Sequence, residues 1–315
     1  MVSTIQSAIV VIVGLVALIF ASEITVERSR RIALKLGVSE LLIGLTVVSI
    51  GTSLPEIFLN IMAGVYRIQG LETSGIAVGN IVGSCLAQIT LILGMSGMVA
   101  TLYTPKRSLK RDGGMMMAAL VLMYLAAFNG VISRLEGITL ALIYIVYLYY
   151  LFRVEKDLKA KPVKKGNLPV LDLLILVGAL LFVVLSSSVV VSEGMSLATI
   201  LGVSPFIIGI LAGLGTSLPE LSISVGALGR GAKRLSLGNL IGSNITDPLF
   251  SLGTGAAVAG FAVEIQAITF DFVYWGFSSI VAMLLLWNHM DLNRKESYIL
   301  ILLFIMYAYL KSFVV

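Results

Sequence analysis

Cysteine and histidine are nearly missing from this chain. Cys85 is the only cysteine and His289 the only histidine in 315 residues. That excludes an internal disulfide and any multi-thiolate metal site. His289 stands beside Asp291, Arg294 and Lys295 at the end of an apolar stretch and reads as a solvated loop residue. Charge is scarce too. Charged residues make up 12% of the chain against 58% hydrophobic, with a mean hydropathy of +1.03. A soluble globular domain does not have this balance. The length allows about ten membrane spans of roughly 20 residues with short loops, leaving no room for a large soluble domain. The pI near 9.3 does not signal nucleic-acid binding, because the cations sit in loops instead of a basic domain. Residues Ile5 to Ala21 resemble a signal-peptide core ending near Phe20-Ala21-Ser22. No Lys or Arg precedes them, so the stretch reads as a first transmembrane helix.

What is present is organised as ten apolar segments, near 5–26, 39–66, 73–99, 114–130, 135–152, 169–192, 203–228, 235–260, 269–287 and 297–314. Of the 22 Lys and Arg, 19 fall in alternate loops, at 28–35, 106–111, 153–165, 230–234 and 294–295; the other set holds only Arg67, Arg134 and Lys311. The positive-inside rule puts the 19 in the cytoplasm and both termini outside. Tyr274 and Trp275 near one end of the ninth segment, and Trp287 near the other, fit interfacial aromatic belts. The run Met115–Met117 reads as lipid-facing filler. A Lys-rich linker, 154–167, separates a first repeat (1–153) from a second (168–315). Five spans per half force the second half to enter from the opposite side, which makes the pair an inverted repeat. The expected fold is all-α and polytopic, with kinked or broken helices at the midplane.

Two phrases occur twice. Gly51-Thr52-Ser53-Leu54-Pro55-Glu56 returns as Gly215-Thr216-Ser217-Leu218-Pro219-Glu220, and Gly79-Asn80-Ile81-Val82-Gly83-Ser84 returns as Gly238-Asn239-Leu240-Ile241-Gly242-Ser243. A carboxylate inside an apolar run costs at least a few kcal/mol on insertion scales and marks function. The proline withholds a backbone donor and loosens carbonyls that lipid cannot satisfy. Thr52/Glu56, Ser84/Gln88, Thr216/Glu220 and Ser243/Asp247 are i, i+4 pairs, each sharing one helix face. Repeat symmetry is expected to gather them into one oxygen cage of three carboxylates, one amide and several hydroxyls. Hard oxygens suit Ca²⁺, Na⁺ or Mg²⁺ and disfavour zinc or copper. Mg²⁺ dehydrates reluctantly, so a dehydrating cage favours Ca²⁺. The glycines of the second phrase serve an ion site or close helix packing. Asn80 and Asn239 read as partners for freed backbone.

The doubled phrases resemble the alpha repeats of the calcium/cation antiporter superfamily, and among its branches the chain is most similar to the prokaryotic sodium/calcium exchangers. The proton/calcium branch carries Glu where this chain has Gly83 and Gly242. The resemblance implies ten helices in inverted repeats and alternating access, with the first helix of each half sliding across a rigid core of the other eight. It implies Ca²⁺ and central Na⁺ ligands at Glu56 and Glu220. Oxygens would be added by Thr52, Ser53, Thr216 and Ser217, and by Ser49 and Gly213 through backbone. Ser84 and Ser243 would border flanking Na⁺ sites, and Asp247 is the third acidic ligand. Gln88 departs from the Asn or Asp usual in sodium exchangers and is expected to act as a neutral oxygen ligand. The transported ions are therefore expected to be Ca²⁺ and Na⁺, with H⁺ as the alternative counter-ion, since protons can neutralise Glu56 and Glu220 as well. No organic cofactor, nucleic acid or obligatory protein partner is expected. A passive channel fits less well, because closed oxygen cages replace rings of carboxylates facing a lumen. An enzyme is unsupported, because no nucleophile and base pair lies within the spans.

Overall fold

The computed structural model describes residues 2–157, 170–202 and 214–314. Most of the linker, the start of the seventh segment and Gly213 lie outside the described residues. In lipid every backbone polar group must be satisfied within the chain, and helices answer that demand here. In order they are α1 (Val2–Leu36), α2 (Glu40–Thr52), α3 (Leu54–Ile68), α4 (Ser74–Val99), and α5 (Lys106–Ser108, Leu109–Gly113 and Gly114–Ala127). Then follow α6 (Arg134–Asp157), α7 (Val170–Ile200), α8 (Leu218–Gly229), α9 (Lys233–Thr246, Asp247–Ser251 and Leu252–Ala259), α10 (Ile265–His289) and α11 (Arg294–Val314). Among the described residues five helices are long and apolar enough to cross a membrane alone. The α2–α3 pair makes a sixth if counted as one bent span. This is a multi-pass, all-helical membrane protein.

The two halves match element by element. Ser74–Ala87 and Lys233–Thr246 are both 14 residues long, and each runs straight into a five-residue π turn, at Gln88–Ile92 and Asp247–Ser251. Two short ribbons repeat the match. β1 (Leu102–Tyr103) pairs with β4 (Asp291–Leu292), and β2 (Val131–Ile132) with β3 (Phe261–Ala262), both antiparallel. Each ribbon joins one half to the other. Leu102↔Leu292 in one ribbon is the repeat image of Phe261↔Ile132 in the other. The halves also interleave through their last helices. α6 packs on the Leu252–Ala259 end of α9, and α11 on the Leu93–Val99 end of α4. A Cβ on Gly253 would lie 2.9 Å from Gly137 O, and one on Gly94 would lie 3.0 Å from Ser297 O. Only glycine lets these backbones approach so closely.

The buried apolar residues form a large cluster around α4 and α9 and a smaller one that joins α1 and α7 to parts of α2, α8 and the start of α9. Charged contacts gather at one end. Arg28 and Lys35 pair with Asp172 at 2.7 and 2.8 Å, and Arg230 pairs with Glu23 at 2.9 Å. Lys233 lies over the Tyr103 ring and Lys106 over Trp287. Their cations come from three of the five loops in which the sequence concentrates its cations.

Three expectations need correction. α1 runs ten residues past its expected end at residue 26, because its charged continuation is held by the Asp172 and Arg230 ion pairs. Met116 is 1% exposed, inside the core rather than facing lipid. Trp275 is fully buried and is no interfacial anchor.

Candidate cation site

Each repeated phrase breaks a helix. Ser53 leaves the helical region (φ −78°, ψ 8°), and α2 and α3 meet there at a 47° bend. Pro55 stands in the first turn of α3 and Pro219 in the first turn of α8, where a missing N–H is harmless. The proline thus starts a new helix instead of kinking a continuous one. Ser217 has the same break geometry (φ −91°, ψ 7°). Glu56 and Glu220 follow in the first turns of α3 and α8, where the N-terminal end of the helix dipole favours negative charge.

Glu56, Glu220, Asp247, Gln88, Ser49, Thr52, Ser53, Ser84, Ser217 and Ser243 are all fully buried, and Thr216 is half-buried. α4 and α9 cross the breaks and supply hydroxyls to the carboxylates. Ser84 Oγ donates to Glu56 Oε1 at 3.3 Å, and its repeat image Ser243 Oγ donates to Glu220 Oε1 at 3.4 Å. The threonines reach across the halves. Thr52 Oγ1 donates to Asn239 Oδ1 at 3.2 Å, and Thr216 Oγ1 to Asn80 Oδ1 at 3.3 Å. Asn239 Nδ2 in turn donates to Glu220 O at 3.4 Å, the backbone role expected for it. Ser84 Oγ also meets Ser217 Oγ at 2.9 Å. The i, i+4 pairing expected within each helix survives only at Ser84/Gln88, where Gln88 Nε2 donates to Ser84 Oγ at 3.0 Å. Glu56, Glu220, Thr52 and Thr216 each have a described contact to another helix or to the other half.

The carboxylates do not form a metal cluster by themselves. Among the described residues no three His, Cys, Asp or Glu side chains converge tightly enough to hold an ion unaided. They are linked through hydroxyls and amides, so any cation there is shared with neutral oxygens. Among the expected ligands, four buried oxygens have no hydrogen-bond partner among the described residues: Ser53 Oγ, Glu56 Oε2, Glu220 Oε2 and Asp247 Oδ1. Burial of an unpaired carboxylate oxygen costs several kcal/mol, and a bound cation removes that cost.

Two of the expected ligands already have hydrogen-bond partners. The Ser49 carbonyl accepts from Ser53 N at 2.9 Å and lies 3.2 Å from Thr52 Oγ1, whose one hydrogen is shared with Asn239 Oδ1. Gln88 turns its nitrogen, not its oxygen, to the acidic side, with Nε2 3.0 Å from Asp247 Oδ2. The repeated glycines of α9 serve close packing on α2. A Cβ on Gly238 would lie 2.5 Å from Leu41 O, and one on Gly242 would lie 2.7 Å from Ser49 Oγ.

Sequence reasoning missed Asn60, Asn244, Ser224 and Trp275. Asn60 Nδ2 donates to Glu56 O at 2.8 Å and to Ser251 Oγ at 3.1 Å. Its place four residues after Glu56, on the same face, was the available signal. Ser224 holds the matching place after Glu220 and accepts from Asn239 Nδ2 at 3.2 Å.

Paired broken helices carrying buried carboxylates, repeated in both halves of a multi-pass helical protein, are the marks of an ion transporter. The sequence pattern of the sodium/calcium exchanger protein family matches residues 6–153 and 171–313, and the chain belongs to that family. It is 29% identical to the sodium/calcium exchanger MaX1 of Methanosarcina acetivorans over 340 residues, covering 94% of this chain and 96% of that one. It is 29% identical to the inner membrane protein YrbG of Escherichia coli, covering 88% and 87%. Its structure resembles that of the sodium-calcium exchanger NCX_Mj soaked with Na⁺ and Sr²⁺, with a TM-score of 0.82 at 28% identity, covering 96% and 97%.

Proposed function

We infer that this chain is a secondary-active antiporter exchanging Ca²⁺ for Na⁺ by alternating access. Ca²⁺ or Na⁺ would be held at a midplane site made of Glu56, Glu220, Asp247, Thr52, Ser53, Thr216, Ser217, Ser84 and Ser243, with Gly213 adding its carbonyl. The observation that carries this reading is the set of four buried oxygens without partners, three of them on carboxylates joined by one hydroxyl and amide network. Such a set is costly to bury unless cations neutralise it. One Ca²⁺ offsets two of the three negative charges and several Na⁺ offset them all, and both sets together would overfill the site. Competition for one site, with movement allowed only when loaded, gives exchange instead of leak.

The architecture supports the same reading. Matched π turns and matched ribbons agree with an inverted repeat of ten spans, 1–153 and 168–315, joined by the cytoplasmic linker 154–167. α1 and α7 pack along each other, which suits a pair that slides together across the rest. The cation-rich end faces the cytoplasm in this reading, and both termini face outward across the cell membrane.

A proton-coupled exchange of Ca²⁺ or another divalent is the second reading. The neutral amide of Gln88, opposite Asp247, favours it over a fully acidic site. Ca²⁺ uptake into proteoliposomes under an imposed Na⁺ gradient, an H⁺ gradient or neither decides between them. Internal Na⁺ is expected to drive uptake. Uptake driven by protons alone would replace Na⁺ as the counter-ion, and uptake that ignores every gradient would rule out an antiporter.

A further inference from the structure

The orientation of Gln88 is fixed from outside the candidate site. Trp275 on α10 is fully buried, and its indole Nε1 lies 3.3 Å from Asn244 Oδ1. An indole N–H can only donate. Asn244 must therefore present its oxygen to Trp275 and its nitrogen to the other side. The Leu240 carbonyl makes the same demand from a second direction, since it only accepts and lies 3.2 Å from Asn244 Nδ2. Asn244 Nδ2 then donates to Gln88 Oε1 at 2.9 Å. With Oε1 so engaged, Gln88 has only its NH₂ left for the carboxylate side, where it reaches Ser84 Oγ and Asp247 Oδ2, each at 3.0 Å. Trp275, Asn244, Gln88 and Asp247 form one polarised chain of buried groups, every link running from donor to acceptor toward Asp247.

We propose that Trp275 is a positioning residue for ion selection: through Asn244 it holds the Gln88 amide with its N–H toward Asp247, so that Gln88 is not a cation ligand and the Asp247 corner is partly neutralised by a fixed donor. A dipole that meets Asp247 Oδ2 without an ion weakens that corner for Na⁺ and leaves Glu56 and Glu220 as the stronger cation ligands. The inference rests on the exchange reading for the identity of the ions. Its internal logic needs only that cations bind beside these carboxylates.

Trp275→Phe removes the N–H and keeps most of the ring. Asn244 then loses one of the two contacts that fix its amide, keeping only the Leu240 carbonyl, and Gln88 turns Oε1 toward Asp247 more readily. Two oxygens facing each other attract a cation between them, so Na⁺ binding there strengthens. Gln88→Glu forces an oxygen into the same place without any rotation. Phe272→Leu is the control. Phe272 packs against the Trp275 ring with centroids 6.1 Å apart and takes no part in the hydrogen-bonded chain.

The test is thermal unfolding of the purified full chain, titrated with NaCl or CaCl₂ against choline chloride, with midpoint shifts giving half-saturation for each ion. In Trp275→Phe the Na⁺ half-saturation is expected to fall by about threefold or more while that for Ca²⁺ stays within about twofold. Gln88→Glu is expected to shift Na⁺ in the same direction, and Phe272→Leu to leave both ions unchanged. An unaltered Na⁺ titration in Trp275→Phe overturns the proposal. So does an equal shift in Phe272→Leu, which would make the tryptophan a packing residue only. If the wild type binds both ions but proteoliposomes show no coupled flux, the exchange reading fails and this inference stands on its own titration.

Discussion

One matched π turn begins at Gln88 and its counterpart at Asp247, and this pair is one place where two closely matched halves part company. Around them the scaffold repeats closely. Ser84 donates to Glu56 as Ser243 does to Glu220, and Thr52 meets Asn239 as Thr216 meets Asn80. At the repeat axis, however, an amide faces a carboxylate, and the two hydrogen-bond to each other. A symmetric protein could hold two acids there, at the cost of one more charge to neutralise, or two amides, with no charge at all. This chain holds one of each. The repeat supplies matched glutamates and hydroxyls, and the mismatch between Gln88 and Asp247 leaves an odd count of three carboxylates.

The largest break in the comparison is expected at the glutamates. Glu56 and Glu220 occupy equivalent places, each with one oxygen bonded to a serine and the other without a partner. Glu56→Gln and Glu220→Gln each remove a charge while keeping the shape. Each variant is expected to lose Ca²⁺ exchange by about 100-fold or more, since two or more kcal/mol of cation binding disappear. Elution as a monodisperse species would show that folding survives. Normal Ca²⁺ uptake by either variant would remove that glutamate from the site.

Asp247→Asn tests the mismatch itself by making position 247 neutral like Gln88. The site then carries two negative charges, which one Ca²⁺ balances. Ca²⁺ half-saturation is expected to move by less than about tenfold, whereas the Hill coefficient for Na⁺ should fall as one neutralising ion becomes superfluous. A variant whose Na⁺ dependence is unchanged would place Asp247 outside the counter-ion site. A smaller and symmetrical effect is expected at the threonines. Thr52→Val and Thr216→Val each delete one hydroxyl hydrogen bond across the halves, worth about 1 kcal/mol, or roughly fivefold in ion affinity. Similar losses in the two variants would mark the halves as equivalent. A large loss in one alone would mean that only that hydroxyl touches the ion.

The doubled phrases made most of this legible before any coordinates. GTSLPE and its repeat located both helix breaks, both glutamates and the α4 and α9 crossings, because a polar residue in a lipid-facing sequence has few innocent explanations. What stayed hidden depended on partners far along the chain. Trp275 near the end of an apolar run has the local signature of an interfacial anchor, and only Asn244, 31 residues away, turns it inward. Gln88 read as an oxygen ligand because an amide offers either end, and its orientation is decided by Asn244 and Trp275. The last turns of α1 looked like a loop because they are charged, yet ion pairs to Asp172 on α7 and to Arg230 complete the helix.

The smallest expected effect concerns the turns that enter β2 and β4. Gly130 precedes β2 with φ +85°, and its repeat image Met290 precedes β4 with φ +58°. Both carbonyls are held by the other half, Gly130 O by Val263 N at 2.7 Å and Met290 O by Thr104 N at 3.1 Å. The same left-handed turn is therefore imposed on a glycine in one half and on a side chain in the other. A Cβ on Gly130 would come no closer than 3.7 Å to Val263 O, so substitution there meets strain but no clash. Gly130→Ala is expected to cost about 1 kcal/mol from backbone conformation alone, lowering the unfolding midpoint by about 1–3 °C with transport unchanged. A midpoint equal to that of the wild type would mean that the cross-half bond holds the turn for either residue, as it already does at Met290. The glycine would then reflect the turn's history in one half and not a requirement of the fold.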